Sequence, residues 1–91
     1  MDAKPLPIRY DLEVYEGSFV NVPSLSLSSS GPMHLAAGEW LSHLGGGNWH
    51  EPPESGEGFR IAEVRHILSV TDFIRHKLMV RVEVVALPRE P

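Results

Sequence analysis

The chain has 91 residues, no cysteine and a formal charge of −4, and 42% of its residues are hydrophobic and 22% charged. This length and composition predict one folded domain with a single thin core. The lack of cysteine excludes disulfides, thiolate metal sites and cysteine nucleophiles. No stretch approaches the ~20 apolar residues of a membrane span, and the first residues lack the apolar run of a signal peptide. We therefore expect a cytoplasmic protein with no membrane partner.

Charge is distributed unevenly along the chain. Residues 1–58 carry eight acidic and two basic side chains, a net charge of −6, whereas residues 59–91 carry six basic and four acidic ones, a net charge of +2. The acidic total disfavours nonspecific binding to nucleic acid. The C-terminal third is thus the basic part of an acidic protein.

The N-terminal third has the pattern of short strands. Prolines at two alternate positions predict that residues 1–7 are an extended lead-in outside any central ladder. Apolar and polar residues then alternate from Ile8 to Tyr15, as in a strand with one buried face. The runs Phe19–Val22 and Leu25–Leu27 are separated by Pro23, which predicts one broken edge strand or two very short strands.

The middle of the chain is less regular. Residues 28–32 have the serine, glycine and proline content of a loop. Residues 33–44 fit either a strand, a corner at Gly38-Glu39 and a second strand, or one short helix. The helix would place Gly38 in its interior at a cost of about 1 kcal/mol, so the first interpretation is favoured. Residues 45–58, rich in glycine, proline and acids, are expected to form one long flexible loop.

Residues 58–87 give the clearest signal, which is that of two long strands in a hairpin. Alternate residues from Val64 to Val70 and from Ile74 to Val84 are mostly apolar. Phe59 and Ile61 lie on the opposite parity, so a β-bulge near Ala62 or Glu63 is expected to restore the facing. A three-residue loop, 71–73, predicts the cross-strand pairs Val70–Ile74, Leu68–His76, His66–Leu78, Val64–Val80 and Glu63–Arg81.

These elements predict an all-β domain over residues 1–91, with or without one short helical turn near Leu35–Leu44. The architecture is a small partly open β-barrel or a strongly bent antiparallel sheet. The corner at Gly38–Leu41 and the final hairpin over Phe59–Val84 resemble SH3-like and PUA-like domains, a resemblance of architecture that implies no particular function. The expected core is Ile8, Tyr10, Leu12, Val14, Leu35, Trp40, Ile61, Val64, Leu68, Leu78, Val80, Val82 and Val84.

Five histidines raise the question of a metal site. The best pair is His66 and His76, which the predicted register places as diagonal neighbours roughly 7 Å apart on one face of the hairpin. Neutral imidazoles bind zinc when two come from one rigid element and a carboxylate completes the set. A histidine among apolar strand residues is more often structural, so no metal and no cofactor is expected, with this pair as the alternative.

Two aromatic residues flank the long loop and suggest a binding surface. A mobile loop that carries Trp49 and His50 would close over a concave surface holding Trp40, which suits ligand or protein recognition. The alternative is that Trp40 belongs to the core and Trp49 anchors the loop at the end of the barrel.

The outward face of the hairpin mixes basic and apolar side chains, which are Arg65, Ile67, Arg75, Lys77, Met79, Arg81 and Val85. Such a face binds a nucleic-acid backbone or an acidic partner, neutralises acids of the same chain, or packs against a second copy. Among these residues Arg65, Lys77, Met79 and Arg81 are the candidate contacts.

We therefore expect a non-enzymatic binding or assembly module that associates with itself or with another protein. A small metal-dependent or acid–base enzyme that uses His66, His76 and a carboxylate such as Glu39 or Glu51 is one alternative. A nucleic-acid-binding module that uses the basic hairpin face is another.

Overall fold

A computed structural model describes residues 6–42 and 46–88 of the chain, which form one five-stranded sheet. The strands are β1 (Ile8–Glu16), β2 (Leu25–Ser29), β3 (Trp40–Leu41), β4 (Glu57–Val70) and β5 (Ile74–Ala86). The sheet curls through 236° into a half-barrel, which confirms the predicted small, partly open β-barrel. Within the described ranges there is no helix, and hence none that could cross a membrane.

The predicted hairpin is confirmed down to its register. All five predicted pairs, from Val70–Ile74 at the loop to Glu63–Arg81, are present between β4 and β5. The register shifts between Ile61 and Glu63, so Ala62 is the extra residue of the predicted β-bulge. The bulge brings Phe59 and Ile61 onto the same face as Val64 and so lets one long strand keep its apolar residues inside.

The strand order is β2-β1-β5-β4-β3, and one of its pairings was not anticipated. β1 lies parallel to β5, with Leu12 beside Leu78 and Val14 beside Val80, while all other neighbours are antiparallel. The sheet is therefore mixed, not antiparallel throughout. Residues 30–56, in whose described part β3 is the only strand, provide the length that a parallel return requires.

Two short segments differ from expectation. In residues 33–42 the chain turns at Gly38 and forms only the brief strand Trp40–Leu41, so neither a helix nor a strand before the corner is present. His43 and Leu44 lie outside the described residues. Phe19–Val22 is a turn, and only the second of the two short runs, from Leu25, becomes a strand.

The core lies on the concave face of the half-barrel, with seven buried residues: Leu12, Val14, Phe59, Ile61, Leu78, Val80 and Val82. Leu35 and Trp49 reach over this face from the loops and pack against it. Phe59 was not expected in the core, nor was Tyr15, which is buried on the convex side. Four predicted core residues are exposed instead, namely Ile8 (50%), Trp40 (43%), Leu68 (67%) and Val84 (36%).

Two of these residues, Ile8 and Leu68, are exposed because they lie at the hairpin end of the sheet. Ile8 and Leu68 point to the concave face as predicted, but they lie near the hairpin loop. The loops that cover the concave face pack at the other end, around Trp49 and Phe59. At the hairpin end, side chains that point to the concave face are therefore still exposed to solvent.

Candidate functional site

The outer edge of β4 is paired over only a short part of its length. β3 pairs with Phe59 and Arg60, and the backbone of Ile61 bonds Glu39 O at 2.9 Å and Gly38 N at 2.7 Å. From Glu63 to Val70, no strand in residues 6–42 or 46–88 pairs with β4 on this side. We call residues Glu63–Val70 the open edge; it spans roughly 27 Å at the rise of a β-strand.

The pleat of β4 determines which residues direct their backbone N–H and C=O groups toward the open edge. Ile61 directs its side chain into the core and its N–H and C=O toward β3. Side-chain facing and hydrogen-bond direction stay linked along a strand, so the concave-facing residues of β4 point their backbone groups away from β5. Beyond the bulge these residues are Val64, His66, Leu68 and Val70. The open edge thus carries an alternating row of donors and acceptors directed outward.

Apolar side chains accompany this row on both faces of β4. On the concave face Leu68 is 67% and Val70 60% exposed, and on the convex face Ile67 is 43% exposed. Natural sheets commonly protect an edge with prolines, inward charges or a covering loop. Along Val64–Val70 the described residues provide no proline, inward charge or covering loop, and Arg65 is the one charged side chain there, so the outward backbone groups are left accessible.

His66 and His76 lie beside the open edge on the concave face. They are diagonal neighbours, as predicted, and their rings meet with Nδ1 of His66 2.9 Å from Nε2 of His76. His66 is exposed and His76 half-buried, with Tyr10 beside the His76 ring at a centroid distance of 6.0 Å. In residues 6–42 and 46–88, no three His, Asp or Glu side chains are grouped for a metal ion.

The basic residues of the convex face are engaged with carboxylates. Arg75 pairs with Asp11 at 3.3 Å and Lys77 with Glu13 at 3.4 Å. These pairs join β5 to the neighbouring acidic strand β1. The parallel register places the charges side by side and neutralises them within the chain.

A second charged group spans β4 and β5 on the same face. Glu63 lies 2.7 Å from Nε of Arg65 and 3.6 Å from Nε of Arg81, which also pairs with Glu83 at 2.8 Å. The hydrogen bond and charge of Arg65, with Arg81 behind it, hold the pKa of Glu63 below its usual range. The Arg65 guanidinium also sits over the ring of Phe19 at 4.4 Å. Met79 lies between these groups, half-buried.

The loop that carries Trp49 and His50 is fastened by one carboxylate. Glu16, the last residue of β1, accepts hydrogen bonds from the backbone N–H groups of His50 at 2.8 Å and Glu51 at 2.9 Å, and from the hydroxyl of Ser24. Burial alone would raise the pKa of Glu16, but these bonds outweigh it, so its pKa lies below the usual range.

Trp49 and Trp40 have different surroundings. The Trp49 ring packs on Phe59 with centroids 4.8 Å apart, and its indole N–H donates to Gly46 O at 2.7 Å. Trp40 is exposed beside Arg60 and lines a shallow groove of about 390 Å³ with Pro52, Pro53 and Leu87. The two tryptophans are therefore not gathered in one concave site, because Trp49 covers the barrel end and Trp40 flanks it.

His50 lies at a different groove, of about 630 Å³, together with Glu16 and Glu51 over a floor that includes Phe59 and Val82. The oxygens of Glu16 are already occupied by the loop, as described above. The polar groups here have a structural task, which is to hold the loop over the core.

Sequence reasoning identified His66 and His76 as a pair but missed the importance of Glu16 and of the open edge. Glu16 reads as an ordinary polar residue at a strand end, since its partners come from 34 and 35 residues away. The open edge depends on how short β3 is. In the sequence, the only feature that bears on the length of β3 is the corner predicted at Gly38-Glu39.

Comparison with known protein families, with curated proteins and with solved structures found no match to this chain.

Proposed function

We propose that this protein is a non-enzymatic assembly module that associates with a second copy of itself along the open edge of β4. The observation that carries the proposal is the edge from Glu63 to Val70, which no described strand pairs and which exposed Ile67, Leu68 and Val70 flank. Addition of a strand would satisfy the outward N–H and C=O groups and cover these apolar side chains together.

The open edge is complementary to itself in one register. Antiparallel pairing about a two-fold axis at Ile67 uses Val64–Val70 entirely and keeps the concave faces of both sheets on one side. The cross-strand pairs would be Val64 with Val70, His66 with Leu68, Arg65 with Ser69, and Ile67 with its counterpart. No like charges meet, and two of these four pairs, Val64 with Val70 and Ile67 with its counterpart, join apolar residues.

The observations give less support to nucleic-acid binding through the convex face. Arg65, Arg75, Lys77 and Arg81 each have a carboxylate partner, so a phosphate backbone would have to displace acids of the same chain. The cytoplasmic location expected from the sequence stays a prediction.

The test is sedimentation equilibrium on the wild type, Leu68→Pro and Leu68→Ala. The Leu68 N–H points out of the open edge, so proline there removes an edge donor while leaving the β4–β5 ladder intact. Alanine trims the side chain but keeps the N–H. We expect a dimer for the wild type, a monomer for Leu68→Pro, and a weakened dimer for Leu68→Ala.

Val20→Lys is a control for loss of exposed apolar surface away from the edge, since Val20 is 92% exposed in a turn. It should remain dimeric. A wild type that is monomeric at its highest soluble concentration contradicts the proposal, as does a Leu68→Pro variant that folds and still dimerises.

A further inference from the structure

We propose that His66 and His76 form a two-nitrogen binding site for a divalent metal ion that prefers imidazole, such as Cu²⁺ or Zn²⁺. The site lies on the concave face near the hairpin loop. Both ligands come from one chain, so the proposal goes beyond self-association and does not depend on it.

The first argument is the direction of the two nitrogens. The ring centroids are 5.2 Å apart and the facing nitrogens only 2.9 Å apart, with 28° between the ring planes. Stacked rings would bring their planes to about 3.5–4 Å. The contact is therefore a head-on N–H···N hydrogen bond, in which one nitrogen lone pair faces the other ring.

The second argument is the spacing. Metal–nitrogen bonds of about 2.0–2.1 Å require two ligands to be about 2.9 Å apart in adjacent square-planar positions, or about 3.3 Å apart in a tetrahedron. The observed 2.9 Å falls at the lower end of that range. To bind a metal ion, the ring that donates the hydrogen bond would shift its proton to its other nitrogen, and each ring would rotate by roughly 35–45° so that both lone pairs point at the ion.

The third argument is the rigidity and access of the pair. His66 and His76 occupy adjacent strands, where the pairs His66–Leu78 and Leu68–His76 fix their spacing. Leu78 beneath them is buried in the core, whereas His66 is open to solvent. A preformed pair loses little conformational entropy on binding, and an ion can enter from solvent with water completing its coordination.

The test is isothermal titration of the protein with zinc chloride, followed by amide and imidazole NMR. Variants His66→Gln and His76→Gln remove one ligand each, and His50→Gln removes an exposed histidine from the loop. We expect saturation at one ion per chain, shifts confined to His66, His76 and Tyr10, and affinity at least about tenfold weaker in either ligand variant. His50→Gln should bind as the wild type does.

Copper(II) provides a second readout, because its electron paramagnetic resonance spectrum reports coordinated nitrogen. Two-nitrogen coordination that is lost in His66→Gln supports the site. Absence of saturable zinc binding, or equal affinity in the wild type and in the double variant His66→Gln/His76→Gln, would overturn it. Failure of this test leaves the sedimentation result unchanged, so the two proposals are separable.

Discussion

At the residue scale, Glu16 joins the end of β1 to a loop that lies 34 and 35 residues further along the chain. It ends β1, yet it accepts hydrogen bonds from Ser24, His50 and Glu51 and so fixes the loop that places Trp49 on Phe59. Hydrogen bonds to a charged acceptor stabilise more than those between neutral groups. The Glu16 carboxylate therefore holds in place the loop that covers this end of the half-barrel.

Substitution Glu16→Gln should lower the free energy of unfolding by about 1–2 kcal/mol at neutral pH, because a neutral amide accepts weaker bonds and brings an N–H toward two donors. The folded-state pKa of Glu16 lies below the usual value of 4.5, so its contribution is present above that pH and is lost as the pH falls through the folded pKa. Urea unfolding at several pH values measures this.

The difference in free energy of unfolding between wild type and Glu16→Gln should narrow as the pH falls below 4.5 and through the lowered folded-state pKa of Glu16, below which both side chains are neutral. Asp11 and Glu63 also have lowered pKa values, so both proteins should lose some stability in acid. A difference in free energy of unfolding that stays constant from neutral to acidic pH would show that the charge of Glu16 does not hold the loop.

At the element scale, the hairpin was predictable and its neighbours were not. Period-two alternation and the change of parity before Val64 fixed both the register and the bulge, since a one-residue error would turn every apolar side chain outward. Alternation carries no information on strand direction, so the parallel pairing of β1 with β5 could not be read from it. The same limit applies to burial, because Leu68 faces inward but no described loop covers it.

Deletion of Ala62 should abolish the fold. Without the extra residue, either Phe59 and Ile61 or the apolar set from Val64 onward must leave the concave face. We expect a poorly dispersed amide NMR spectrum and no cooperative unfolding transition. Ala62→Ser keeps the chain length and should fold as the wild type does, so a well-folded deletion variant would refute the role assigned to the bulge.

At the scale of the whole molecule, the half-barrel has one end that loops cover and one end that no described loop covers. Loops, Glu16 and Trp49 close the first, while the second presents the open edge of β4, which no strand in residues 6–42 or 46–88 covers, together with exposed apolar residues and the histidine pair. The open edge and the histidine pair were only partly predictable. The sequence indicated the hairpin and the pair His66 and His76, but it placed the candidate contacts on the convex face and not at the edge. The ion pairs Arg75–Asp11 and Lys77–Glu13 on that face involve β1, whose position beside β5 the sequence did not reveal.

The most direct measurement of the proposed assembly is disulfide formation in the variant Ile67→Cys, in a chain that has no other cysteine. The two-fold axis at Ile67 places its two copies as a non-hydrogen-bonded pair with Cα atoms about 4.5 Å apart, within the range of a disulfide. In Arg65→Cys, on the same face, the two cysteines would be about 13 Å apart along the strands. Mild oxidation should therefore link Ile67→Cys into a dimer with a native-like NMR spectrum and leave Arg65→Cys unlinked. No linkage of Ile67→Cys, or equal linkage of both variants, would contradict pairing along the open edge.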